Sequence, residues 1–153
     1  MPANDYHFVT HWLVEGTPEQ VWEILDDPLD LPRWWPSVYL QVQEPEPGVF
    51  LLHTKGWLPY TLRWSFRVGE RRYPDGFSLQ AWGDFDGRGI WTFRQDGKFT
   101  HVIYDWRIRA DKPLLRYLSF LLKPFFSANH RWAMARGEES LRAELSRRYA
   151  RPK

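Results

Sequence analysis

Along residues 6–15, Tyr6, Phe8, Thr10, Trp12 and Val14 fall on one parity and His7, Val9, His11, Leu13 and Glu15 on the other. Period two with one ring-rich side predicts a strand that lays that side on a core. Thr17, Pro18 and Gln20 then write a helix start. Thr17 stands where an N-cap is needed, Pro18 where no N–H is needed, and Gln20 where a capping box takes Glu or Gln. A short helix over 18–25 follows, with Val21, Ile24 and Leu25 on one face. Asp26, Asp27 and Pro28 end it, and residues 29–35 read as a second short helical turn closed by Pro36.

From 38 to 110 the pattern returns to period two, broken by turn chemistry at 45–48, 56–59, Pro74-Asp75-Gly76, Asp86-Gly87 and Asp96-Gly97. Leu62, Trp64, Phe66 and Val68 alternate with Thr61, Arg63, Ser65 and Arg67. Val102, Tyr104, Trp106 and Ile108 alternate with His101, Ile103, Asp105 and Arg107. Short connections and one apolar face predict an antiparallel meander of about six or seven strands over a single core. Asp111 and Pro113 then open a helical pattern that runs nearly to Arg148. Its apolar stripe rotates near Pro124, so a kink or break is expected at 119–124. Beyond it His130, Met134, Gly137, Leu141 and Leu145 share one face.

Composition sharpens this α+β reading. The chain has 153 residues, a length suited to one domain, read as an extension over 1–5, a domain over 6–148 and a basic tail over 149–153. Ten Trp, ten Phe and seven Tyr make large rings the chief filling, and rings of that size pack with gaps in a small domain. A cavity is therefore expected. No cysteine is present, which excludes disulfides, thiolate metal sites and cysteine nucleophiles. The N-terminus lacks a basic stretch followed by an apolar run, and the greasiest segment, 113–126, is interrupted by Arg116 and Lys123. These features are read as those of a soluble, cytoplasmic protein. Net charge is only +2, although Arg131, Arg136, Arg142, Arg147, Arg148, Arg151 and Lys153 crowd the C-terminal part. No nucleic-acid motif accompanies them, so no nucleic-acid partner is expected; weak attraction to an anionic membrane surface is the alternative.

Five segments, WLVEGTPEQVW at 12–22, RWWPSV at 33–38, GIWTF at 89–93, THVIYDW at 100–106 and NHRWAMARGEESL at 129–141, follow in the order strand, short helices, strands, long helix. In this the chain resembles the SRPBCC superfamily, which includes START-related lipid carriers, birch-pollen-allergen-like proteins and polyketide cyclase or dehydrase proteins. The resemblance covers residues 6–145. It implies the helix-grip fold, in which a curved sheet wraps the long C-terminal helix and leaves a deep pocket between them. It does not select the chemistry, because the superfamily holds both carriers and enzymes.

With that pocket expected, Trp64, Phe66, Trp91, Tyr104, Trp106, Phe126, His130 and Met134 are the candidate wall, and Trp34 and Trp35, between Pro32 and Pro36, a gate at its mouth or a plug under the helices. Trp82 is a further candidate for the wall, although its parity is that of Ser78, Gln80 and Asp84, which would turn it outward. His130 is the candidate for chemistry, able to orient a ligand carbonyl or move a proton, or else simply to bond a strand carbonyl or sit at the pocket rim. Asn129 points to the side and bonds structure. Gly137, which costs a helix about 1 kcal/mol relative to Ala, implies a close approach by a strand, helix or ligand. No cofactor and no metal are expected. His7 and His11 would lie about 13 Å apart on a strand, too far to share an ion, and Asp84 and Asp86 lack the remaining calcium-loop ligands. Asp105 is expected to pair with an Arg of a neighbouring strand. The partner expected is thus a hydrophobic small molecule or lipid, carried or, alternatively, cyclised or dehydrated. A third reading makes 113–126 a docking surface for a membrane or partner. Oligomeric state is left open.

Overall fold

The computed structural model describes residues 5–56, 61–109 and 113–149, the side chains of 113–123 excepted. Strand β1 (Asp5–Glu15) is followed by helix α1 (Pro18–Leu25), a 3-10 turn (Pro28–Asp30) and helix α2 (Leu31–Trp34). Strands β2 (Tyr39–Glu46), β3 (Val49–Lys55), β4 (Thr61–Arg72), β5 (Gly76–Gly83), β6 (Asp86–Asp96) and β7 (Phe99–Arg109) come next, then helix α3 (Pro113–Tyr149). The seven strands form one antiparallel sheet in the order β1-β7-β6-β5-β4-β3-β2. The meander thus closes on its own first strand, and the fold is the expected helix-grip.

Local chemistry sets the boundaries. The Thr17 hydroxyl accepts the Gln20 N–H at 3.2 Å while the Gln20 side chain accepts the Thr17 N–H at 3.0 Å, completing the capping box of α1. The turn expected at Asp86-Gly87 lies instead at Asp84 and Phe85, because Gly83 takes the positive φ (130°) that the chain reversal needs; Asp86 and Gly87 already belong to β6. Helix α3 runs through Pro124 without a break. Proline removes one backbone donor there, and the later turns are held by Met134, Leu141 and Leu145, all buried against the sheet. The expected N-cap, Asp111, lies outside the described residues. No helix of the described residues is long and apolar enough to cross a membrane.

Burial alternates along the sheet as the parity predicts. On β7 the pattern places Thr100, Val102, Tyr104 and Trp106 inside, and on β1 Trp12 and Val14. Trp82 faces out at 38 % exposure. β1 is an edge, and α3 covers part of it. Glu138 accepts the Leu13 N–H at 3.0 Å, and Arg142 donates to the Leu13 carbonyl at 3.0 Å, so two backbone groups that another strand could pair are occupied. The first and last described residues are tied in too. Asp5 pairs in register with Arg109, and the Tyr149 hydroxyl donates to Glu23.

A ring-lined cavity between sheet and helix

Where α3 crosses the first residues of β1 and the last of β7, the inner face and the helix do not meet fully. A cavity of about 160 Å³ remains. The sheet supplies Trp64 from β4, Tyr104, Trp106 and Ile108 from β7, and Tyr6 and Phe8 from β1; α3 supplies Phe126, Asn129, His130, Ala133 and Met134. A smaller void of about 60 Å³ lies towards α1, sharing Trp35, Tyr39, Trp64 and Tyr104 with the first.

Six of the eight expected wall residues, Trp64, Tyr104, Trp106, Phe126, His130 and Met134, meet in the larger cavity. Phe66 and Trp91 line the smaller void instead. Phe66 is the next inward position after Trp64, nearly 7 Å farther along the strand. Trp91 is separated from the larger cavity by Tyr104, whose ring stacks on it at 3.9 Å and 15°. Trp34 lines neither space and is 5 % exposed, while Trp35, 2 % exposed, stands between the two. Both are buried, so neither stands exposed at a mouth. Trp35 is held by Trp12 at 5.7 Å, Trp34 at 5.6 Å and Tyr39 at 5.0 Å. Its ring also explains Gly137, where a Cβ would come within 2.3 Å of the indole. The close approach expected at Gly137 is made by a tryptophan of the core.

Several lining residues were not foreseen. Tyr6 and Phe8 carry the parity of Trp12 and pair in register with Ile108 and Trp106, so alternation could have found them. Tyr39 and Phe85 give no such signal, since the first sits at a register shift in β2 and the second in a turn.

The polar groups of the lining are few and, apart from Lys55, uncharged. The Thr54 hydroxyl accepts the Trp64 indole N–H at 3.1 Å. Burial raises the Tyr39 and Tyr104 phenols well above their ordinary range, so both keep their protons. Burial, reinforced by the charge of Arg131, lowers the His130 imidazole to about 4, so it is neutral at pH 7. The imidazole lies flat on Phe8, with ring centres 4.1 Å apart and planes 16° from parallel. Its Nε2 is buried and makes no hydrogen bond among the described residues, and neither does the Trp35 Nε1. The bond to a strand carbonyl weighed for His130 is therefore not made through Nε2. Lys55 stands exposed at the rim.

Outside the cavity, Asp105 accepts from His7 of β1 at 2.8 Å. The arginine partner expected on a neighbouring strand is replaced by His7 because Asp105 lies opposite Val9, one diagonal step from His7. Asp84 accepts the Arg63 N–H at 2.9 Å and anchors the β5–β6 turn. The same β1–β7 pairing brings His11 and His101 within 3.0 Å on the outer face. Among the described residues no three His, Asp or Glu side chains gather as a metal site.

The fold recurs in solved structures. An aromatase/cyclase from a Streptomyces species has a TM-score of 0.74 at 17 % identity, over 94 % of this chain and 95 % of that one. A conserved protein from Geobacillus kaustophilus has a TM-score of 0.75 at 13 % identity, over 93 % and 96 % of the two chains. A START superfamily protein from Mycobacterium smegmatis reaches 0.69 at 12 % identity, over 92 % and 97 %. At these identities the likeness is one of fold. No curated protein matches the chain significantly. The sequence itself matches the family model described as polyketide cyclase / dehydrase and lipid transport over residues 7–146, nearly its whole length. The chain belongs to the polyketide cyclase / dehydrase and lipid transport family.

Proposed function

We propose that this protein binds a hydrophobic small molecule in the larger cavity, as a carrier or sensor rather than as a catalyst. The observation that carries this reading is the cavity itself, about 160 Å³ walled by Trp64, Tyr104, Trp106 and Phe126. Apolar spaces of this kind favour ligands that replace missing ring contacts. The volume also favours a particular size. A dry cavity of about 150 Å³ takes up a benzene, so one ring or a small fused pair fits this space better than a long lipid chain. Membership in a family whose description includes lipid transport agrees with a binding role.

The cyclase or dehydratase reading has one observation in its favour, since His130, Tyr39 and Tyr104 converge on one cavity. Their protonation weighs against it. A general base works best with a pKa near the operating pH, whereas His130 is lowered to about 4 and both phenols are raised. In the docking reading, Phe125 is 52 % exposed, while Leu115, Leu118 and Leu122 lie outside the described side chains.

Native mass spectrometry of freshly purified protein, followed by organic extraction and then by exposure to p-xylene, tests the binding reading. A stoichiometric apolar adduct, either retained or taken up, is expected. A clean mass before and after exposure contradicts it.

A further inference from the structure

A polar inventory of the larger cavity narrows what it accepts. Thr54 is engaged by Trp64, and Lys55 is exposed at the rim, outside the ring-walled interior. Among the buried polar atoms of the lining residues, Nε2 of His130 and Nε1 of Trp35 make no hydrogen bond among the described residues. An indole N–H can only donate. An imidazole nitrogen accepts in one neutral tautomer and donates in the other. A buried polar atom left unpaired carries a large desolvation penalty, so a ligand that only fills the space leaves that penalty standing.

The His130 ring is also held in place. It lies on Phe8 at 4.1 Å, its helix is fixed one turn later by Met134, 6 % exposed, and Asn129 beside it packs on Gly56 at the end of β3. A polar atom held on a rigid element at the wall of an apolar space selects for a ligand group at one position. Among the described residues, the interior has no charged side chain that could pair with a carboxylate or an amine. A hydroxyl is the small neutral group that both donates and accepts, and so suits His130 in either tautomer and Trp35 as well.

We infer that the cavity selects a compact, uncharged ring compound bearing a hydroxyl group, and that Nε2 of His130 is the residue atom that recognises that hydroxyl. This rests on the binding reading above and adds to it a ligand class and a specificity-determining residue.

The test compares p-cresol with p-xylene, which have nearly the same shape and differ in hydroxyl against methyl. Dissociation constants are measured by calorimetry or by shifts of the Trp64 and Trp106 indole N–H resonances, in the wild type and in His130→Leu. In the wild type p-cresol binds at least as tightly as p-xylene, despite being far better solvated in water. In His130→Leu, p-cresol weakens by about tenfold or more, the scale of one lost hydrogen bond with a stranded hydroxyl, and p-xylene keeps its affinity. A second readout needs no variant, because the Nε2 resonance of His130 in the wild type moves on adding p-cresol and not on adding p-xylene.

If p-xylene binds while p-cresol does not, if His130→Leu weakens both equally, or if the Nε2 resonance ignores p-cresol, the hydroxyl assignment is overturned and the binding reading stands. If neither compound binds the wild type, both fall together.

Discussion

Gly137 and Trp35 form a pair that each residue explains in the other. In a helix exposed to water, alanine in place of glycine gains up to about 1 kcal/mol. Here the added methyl would sit 2.3 Å from an indole that is itself wedged among Trp12, Trp34 and Tyr39. Overpacking of that kind costs about 1 to 3 kcal/mol, so Gly137→Ala is expected to lower the urea midpoint of unfolding; a raised midpoint would mean that Trp35 yields freely. The sequence showed that Gly137 needed a reason. It could not show that the reason was a tryptophan from the turn after α2, because nothing in either segment encodes which tertiary neighbour arrives.

His130 makes a second prediction at this scale. The unfolded chain takes up its proton near pH 6.5, but the native imidazole, buried, does so only near 4. A group whose native pKa is depressed gives stability that is full above the unfolded value and lost as pH falls towards the native one. Between pH 6.5 and 4 the wild type should therefore lose on the order of 3 kcal/mol that His130→Leu does not lose. Urea titrations of both proteins at pH 7 and at pH 4.5 measure the difference. Equal losses would show that His130 is solvated in the native state.

Among the elements, the contact between α3 and the α2 turn depends on one carboxylate. Glu144, 4 % exposed, accepts from Arg33 at 2.5 Å, from Arg147 at 2.7 Å and from Arg148 at 2.6 Å, while Asp30 takes second bonds from Arg33 and Arg148. Arg147 first, then Arg33, hold its carboxyl well below the usual carboxylate range. Its contribution is present above pH 4.5 and fades as pH falls towards the native pKa. Glu144→Gln is expected to lower Tm by several degrees at pH 7, with the gap to wild type narrowing below pH 4.5. A gap that stays constant with pH would mean that the carboxylate acts by shape alone. Arg136 and Arg142 also have helix partners, in Glu139 and Glu138. Much of the C-terminal basic surplus is thus taken up in ion pairs within the fold. Sequence reading saw the surplus but not its use, since Arg33 and Glu144 stand 111 positions apart.

The strands and α1 were more legible. Period-two alternation and the Thr17–Gln20 box are local, and local chemistry decided those elements. The β5–β6 turn was misplaced by two positions, since Gly83, Asp84, Asp86 and Gly87 all favour turns. The cavity was partly legible. Positions in regular alternation could be assigned to its wall, but Phe66 and Trp91 show that facing inward does not say which of two neighbouring spaces a ring meets.

For the whole molecule, the sheet curves around α3 and the rings that line the meeting are too bulky to close it. The ligand-sized space is a consequence of that packing. Filling the space from within separates binding in the cavity from binding anywhere else. Ala133 is partly buried and lines it, so Ala133→Phe should occupy part of the volume with the variant's own ring.

The most direct test of the account is therefore the Tm of the wild type and of Ala133→Phe, each with and without p-xylene. A ligand that binds only the native state stabilises by mass action, by about 2.7 kcal/mol at a hundredfold excess over Kd. The account predicts a rise in Tm for the wild type and little or none for Ala133→Phe. No rise in the wild type, or an equal rise in both proteins, would contradict a ligand seated in this cavity.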